Sequence, residues 1–369
     1  MIISSAPFRR RQRAPMNALV RTGVLVAGCA LISTAALAQP QILNAQVVTR
    51  TAASGLDREL RSAMASQSGP LWAGYSVPAI PGDHSMCCGG SYECCGTCKL
   101  ERDGSTSVVS AGSNPVSLES DRQILVLYRI EGGAVQKIRT FSYSCQLDAG
   151  GLPFYWITGV RPTDSVAWLV SYATSADEGR RRLADSAVTA IAFHGDPEAD
   201  RALESFVSPA QAESLRERTS FWLGNARGKA GYNLLRRMMQ EDPSERVRDK
   251  VVFALTQSRE PEALDTLIEA ARADKSSHVR GQALFWLAQK AGKKAEAAIT
   301  AAIENDPETE IKKRAVFALS QLPKDDGVPL LIEVAKTNKN PAVRKQAMFW
   351  LGQSKDPRAL AFFEQILKN

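Results

Sequence analysis

The sequence predicts a mostly α chain. A right-handed α-solenoid (an α-α superhelix) of six 32-residue repeats follows a small α+β, Cys-rich domain. Three observations carry that expectation. The chain repeats itself every 32 residues from Leu183 onward. Each repeat holds two stretches with apolar residues at helical spacing. Ahead of the repeats lie a cluster of cysteines and two β-rich runs separated by glycines.

Residues 1–38 read as a secretory signal. Arg9, Arg10, Arg11, Arg13 and Arg21 precede an apolar run from Thr22 that ends in Ala36-Leu37-Ala38, which places cleavage before Gln39. Counting from Met16 gives a signal of ordinary length. The run is too short and too promptly ended for a membrane span. Val26-Ala27-Gly28-Cys29 also fits the pattern of a lipoprotein signal, but the apolar run continues well past Cys29, which favours ordinary cleavage. A periplasmic or secreted protein follows, without a transmembrane span in the mature chain.

Of the 369 residues, 44% are apolar and 23% charged, which is ordinary globular composition. The net charge of +7 loses its meaning with the signal. Five of the 46 basic residues and none of the 39 acidic ones lie there, leaving +2. No run of Lys and Arg interleaved with aromatics supplies the basic surface that phosphate binding needs, so nucleic acid is not an expected partner.

Residues 39–175 form the expected small domain. Ala45 to Met64 reads as a helix, and Gly69 to Asp83 as a Gly- and Pro-containing segment. Gln123 to Ile130 and Val135 to Tyr143, joined through Glu131-Gly132-Gly133, read as a β-hairpin. Asp164 to Tyr172 returns to helical spacing.

Six cysteines remain beyond the signal: Cys87, Cys88, Cys94, Cys95, Cys98 and Cys145. An even, clustered set in an exported chain points to structural disulfides, with a link from the cluster to Cys145 tying loop to hairpin. Two readings compete. Zinc could be held by some of Cys87, Cys88, Cys95, Cys98 and His84, and Cys95-Gly96-Thr97-Cys98 has the gap used in redox exchange.

The solenoid is expected over residues 176–369. Rows of 32 begin at Leu183, Leu215, Val247, Val279, Ile311 and Val343. The second position of the last five rows carries Arg216, Arg248, Arg280, Lys312 and Arg344. The seventh carries Phe221, Phe253, Phe285, Phe317 and Phe349. Apolar residues at row positions 1, 5, 8 and 9, as in Val247, Val251, Ala254 and Leu255, form the buried stripe of a first helix. A second helix opens with an acid and a proline, as in Glu260-Pro261 or Asp356-Pro357, where the acid caps and the proline takes the first turn. Leu264, Leu267 and Ile268 are its stripe. Asp242-Pro243 and Asp306-Pro307 repeat that chemistry at the link to the next row. The first row lacks the Arg and Phe and reads as an end cap.

Two columns each have a plain explanation beside a functional one, an aromatic binding stripe for position 8 and anion binding for the Arg column. Position 8 alternates Trp222, Ala254, Trp286, Ala318 and Trp350, so large meets small at successive layers, as close packing requires. Asp242, Asp274 and Asp306 stand six residues before Arg248, Arg280 and Lys312, which suggests a ladder of ion pairs and caps.

These rows resemble the HEAT repeat family, in the PBS-lyase HEAT-like form found in exported bacterial repeat proteins. The residues that carry the likeness are Val247-Arg248 with Ala254-Leu255, Val279-Arg280 with Ala283 and Leu287, and Val343-Arg344 with Ala347 and Leu351. The resemblance covers about half the chain. Cys145 to Pro153, placed before Tyr155-Trp156, resembles what some exported HEAT-repeat proteins carry ahead of their repeats. The resemblance implies an armadillo-type scaffold of the cell envelope. Its second helices would line a concave face for a protein or peptide partner, with Arg236, Arg237, Asp265, Glu269 and Glu296 exposed there. It also implies an enzymatic alternative, a lyase-like or oxidoreductase-like protein with thiol or metal chemistry at the Cys cluster. Ligands are scarce for that. HEAT-fold deoxyhypusine hydroxylases hold iron with His-Glu pairs, and this chain has none. His84, His194 and His278 each stand alone. Gly224 to Ala230 is one residue short of a phosphate loop and lacks its Ser or Thr. No catalytic residue or resident cofactor is therefore expected, with zinc at the Cys cluster as the alternative.

Overall fold

A computed structural model describes residues 40–66, 69–82, 86, 97–102, 122–175, 177–290 and 292–368. Its first part is built on β1 (Ile42–Leu43), β2 (Gln46–Thr51), α1 (Leu56–Ser66), β3 (Leu71–Pro78), β4 (Cys98–Lys99), β5 (Gln123–Glu131), β6 (Ala134–Ser142), β7 (Leu147–Asp148) and β8 (Pro153–Thr158). Five strands form one sheet in the order β2-β8-β3-β5-β6, and β1-β7-β4 form a smaller one.

β5 is buried at all positions from Ile124 to Ile130, because the sheet is covered on both sides. One face sends Trp72, Leu125, Leu127, Phe141 and Phe154 into a cluster with Cys98 and Cys145. The other sends Tyr75, Ile124, Val126 and Tyr128 towards the helices. The expected hairpin is β5 and β6, turned at Gly132 (φ 59°) and Gly133 (φ 72°), where the two positive φ values of such a tight turn favour glycine.

The helix expected over Ala45 to Met64 is corrected. Residues 46–51 are strand β2, paired parallel with β8 from Gln46–Pro153 to Thr51–Thr158, and the helix starts only at Leu56. Val47, Val48 and Thr49 are β-branched, and their partners lie about a hundred residues away, so local spacing misled.

After α2 (Pro162–Ala173) and a short 3-10 turn, the first helices of six hairpins follow: α3 (Arg181–Phe193), α5 (Glu213–Ala226), α7 (Glu245–Gln257), α9 (Ser277–Lys290), α11 (Thr309–Gln321) and α13 (Pro341–Ser354). Each begins 32 residues after the last. The second helices are α4 (Pro197–Phe206), α6 (Gly228–Glu241), α8 (Glu262–Ala273), α10 (Lys293–Asn305), α12 (Lys324–Thr337) and α14 (Pro357–Lys368).

The capping chemistry holds in part. Asp196 accepts the backbone N–H of Glu198 (2.8 Å), and Asp356 accepts that of Arg358 (2.9 Å). Glu260 makes no such cap, for Pro261 occupies the cap position and α8 opens at Glu262. A Glu, one methylene longer than Asp, is the poorer cap.

The Arg column also differs in detail from the expected ladder. Arg248 donates to the backbone carbonyl of Asp242 (2.9 Å), six residues before it. Its charge partner is Asp274 of the next repeat (2.8 and 3.0 Å). Arg216 grips Asp242 and Arg280 grips Asp306 in the same way. Each of these carboxylates also accepts the backbone N–H two residues on, at Ser244, Ser276 and Glu308. The rung fails where Lys312 and Asn338 replace the pair: Lys312 reaches the carbonyl of Glu304 instead.

Position 8 does not pair large with small as expected: its Trp residues meet the Phe of the preceding repeat, and Ala254 lies against Gly224. Ala254 and Ala318 are fully buried, while Trp286 meets Phe253 and Trp350 meets Phe317, each with ring centroids 5.0 Å apart. Phe221 stacks on Phe253 and Phe285 on Phe317. Gly224 lets α7 approach, since a Cβ there would sit 2.1 Å from the carbonyl oxygen of Ala254.

One core runs from Ala52 in the sheet region to Phe362 in the last hairpin. Between sheet and repeats, the N–H of Ile80 donates to Phe193 (2.9 Å) and that of Gly195 to Pro78 (2.7 Å). Arg227 ties the same corner by donating to the carbonyl of His194 (2.8 Å) and pairing with Asp200.

Candidate functional site

Successive second helices carry their apolar stripes inward and leave charged side chains between them. Between α6 and α8 these side chains wall a groove of about 570 Å³, within the usual range of ligand pockets. Met239 and Ala270, both buried, and the more exposed Ala273 give it an apolar floor. Tyr232, also buried, exchanges a hydrogen bond with the Thr266 hydroxyl (3.0 Å), so a pair of hydroxyls marks one end. At the other end lies the buried Arg248–Asp274 pair.

Of the five side chains expected on this face, three line the groove: Arg236, Asp265 and Glu269. Asp265 pairs with Lys294 across to the next repeat (3.0 Å), and Glu269 with Arg272 on its own helix (2.7 Å). Arg237 and Glu296 lie outside it. Arg237 pairs with Glu204 of the previous repeat (3.0 Å) and Glu296 with Lys293 (3.0 Å). Glu262, on the wall, is held by Lys229. Arg236 and Lys275, both on the groove and both exposed, have side chains with no ion pair or hydrogen bond to another described residue.

The sequence reading missed Tyr232, Met239 and Lys275. The first two look like ordinary stripe residues. Lys275 had a signal: it stands in the column where Pro243 and Pro307 stand.

The expected thiol site is placed only in part. Cys98 and Cys145 are buried and disulfide-bonded, while His84, Cys87, Cys88, Cys94 and Cys95 lie outside the described residues. Among the described residues no group of three His, Cys, Asp or Glu side chains could hold a metal ion. No helix among them is long and apolar enough to cross a membrane. His278 lies half exposed, 3.4 Å from Asp249. His194 is fully buried, and its pKa is pushed down to about 4, chiefly by loss of solvent and further by Arg227, while Asp196 pulls the other way.

Comparison with known proteins bears on the repeats. A family model for HEAT repeats matches residues 208–288 and 296–369, less than half of the chain. No curated protein matches. Among solved structures, human deoxyhypusine hydroxylase in complex with glycerol is 17% identical with a TM-score of 0.25, over 55% of this chain and 90% of that one. The Escherichia coli protein YibA is 20% identical with a TM-score of 0.36, over 56% and 79%. The CpcE–CpcF complex of phycocyanin lyase from a Nostoc species is 18% identical with a TM-score of 0.29, over 55% and 80%. At such identities and scores the likeness carries no function across.

Proposed function

We propose that this chain, whose residues 208–369 are HEAT repeats, is a non-catalytic binding scaffold of the cell envelope that holds a protein or peptide on the face of its second helices. The observation that carries the reading is the α6–α8 groove. It has an apolar floor, paired hydroxyls and mixed charge on elements fixed by a buried ion pair, which is the make-up of a binding surface. Helices stacked as nearest neighbours supply a rigid frame for it. The export signal before Gln39 and the six cysteines beyond it support an oxidising compartment.

Photo-crosslinking side chains at Gln240 and Ala273, on the second-helix face, are expected to capture a protein in cells, while one at Lys250 on a first helix captures none. Failure at both second-helix positions would remove this reading. Intact mass of protein from the envelope fraction tests the rest. A chain starting at Gln39 with its six cysteines oxidised and no bound metal is expected. Bound zinc, or free thiols at Cys95 and Cys98, would put thiol or metal chemistry first.

A further inference from the structure

The groove between α6 and α8 has a charge pattern that narrows the partner. Each carboxylate on its wall already has a cation of its own: Glu262 has Lys229, Asp265 has Lys294, Glu269 has Arg272, and Asp274 has the buried Arg248. The cations do not balance in return. Arg236 on α6 and Lys275 just past α8 line the same groove with no partner among the described residues. An incoming cation would have to displace Lys229, Lys294 or Arg272, trading one pair for another. An incoming carboxylate gains Arg236 or Lys275 and displaces nothing.

We propose that the α6–α8 groove binds an acidic peptide segment of a partner protein, with carboxylates held by Arg236 and Lys275 and a neighbouring apolar side chain resting on Met239 and Ala270. The apolar floor is what distinguishes a peptide from a free anion here, because only a ligand with an apolar side chain makes contact with Met239 and Ala270 where they line the groove. The acidic wall sets the other limit. A polyanion with a charge at every step would run against Glu262, Asp265 and Glu269, whereas a peptide spaces its carboxylates and can present an apolar residue between them. Tyr232 and Thr266 hydroxyls face the same groove and can meet the peptide backbone.

This inference rests on the scaffold reading above, and the test separates the two. The full chain is titrated by fluorescence anisotropy with two fluorescein-labelled peptides of equal length and leucine content, one carrying Glu and one carrying Lys at the polar positions. The Glu peptide is expected to bind and the Lys peptide not, and the affinity should fall as salt rises. Arg236→Glu and Lys275→Glu should each weaken the Glu peptide by about tenfold or more. Lys345→Glu, on a first helix far along the chain, should leave it unchanged, with circular dichroism showing that all variants stay folded. Equal binding of the two peptides overturns the inference, as does no binding of the Glu peptide, or wild-type affinity in both groove variants. If the crosslinks from Gln240 and Ala273 still capture a protein in that case, only the acidic-peptide inference falls; if they capture none, the scaffold reading falls with it.

Discussion

The repeats and the sheet solve the same burial problem at different sequence distances. In the repeats each hairpin packs on its immediate neighbours, and the first helices recur every 32 residues. In the sheet, β2 must find β8 about a hundred residues on, and β3 pairs with both β8 and β5. The repeats therefore announce themselves by their recurring columns, whereas in the sheet only the β5–β6 hairpin is written locally and the pairings of β2 with β8 and of β3 with β8 and β5 are not. The difference should also appear in stability. A solenoid adds nearest-neighbour terms, while a sheet closed by distant strands stands or falls as a unit.

The sharpest way to break the comparison is to cut one rung of the repeats. Arg248→Leu strands Asp274 as a buried, unpaired carboxylate and is expected to cost about 3–5 kcal/mol, read as a lowered urea midpoint. The double variant Arg248→Leu with Asp274→Leu should recover the part of that loss due to the unpaired charge, while the Ser276 N–H and the Asp242 carbonyl still lack their partners. If the single variant costs no more than a surface change, the rungs do not hold the repeats together.

Acid probes the corner where the two regions meet. His194 is neutral and buried there, with its pKa held at about 4 against an ordinary value near 6.5. The unfolded chain thus takes up a proton before the folded one does. The stabilisation is complete above about pH 6.5 and is lost as pH falls through 4, to a total on the order of 3 kcal/mol. Urea melts between pH 7 and 4 should show this slope, and His194→Gln should flatten it. An unchanged slope in the variant would assign the acid sensitivity elsewhere.

In the sheet the comparable test is the hairpin turn. Gly133→Ala forces a side chain into a positive φ of 72° and is expected to cost about 1 kcal/mol. If sheet and corner unfold together, this change lowers the midpoint seen by hydrogen exchange of the β5 amides and by helical ellipticity alike. A shift in the first signal alone would show that the sheet melts by itself.

What was legible follows the same division. Row boundaries, the Arg and Phe columns, and the Trp–Ala alternation came from spacing, and the helices fall where the rows put them. β2 did not, because Val47-Val48-Thr49 between Ala45 and the helix-forming stretch from Leu56 gives no local sign of a partner at Tyr155. At the groove, Arg236, Asp265 and Glu269 were legible as exposed positions on second helices, but their unequal standing was not. Which cation lacks a partner depends on contacts that reach across repeats, such as Lys294 to Asp265, and only the folded arrangement decides it.

The smallest expected effect concerns those same contacts. Arg237→Ala removes an exposed pair with Glu204, in which both side chains are about half solvent-accessible, and such pairs contribute roughly 0–1 kcal/mol. The urea midpoint should therefore scarcely move, in contrast to Arg248→Leu one helix further on. A loss as large as that of the buried rung would mean that the second-helix face is part of the frame. A negligible loss means that this pair can be removed without cost to the fold, because the frame is held by the buried rungs beneath it.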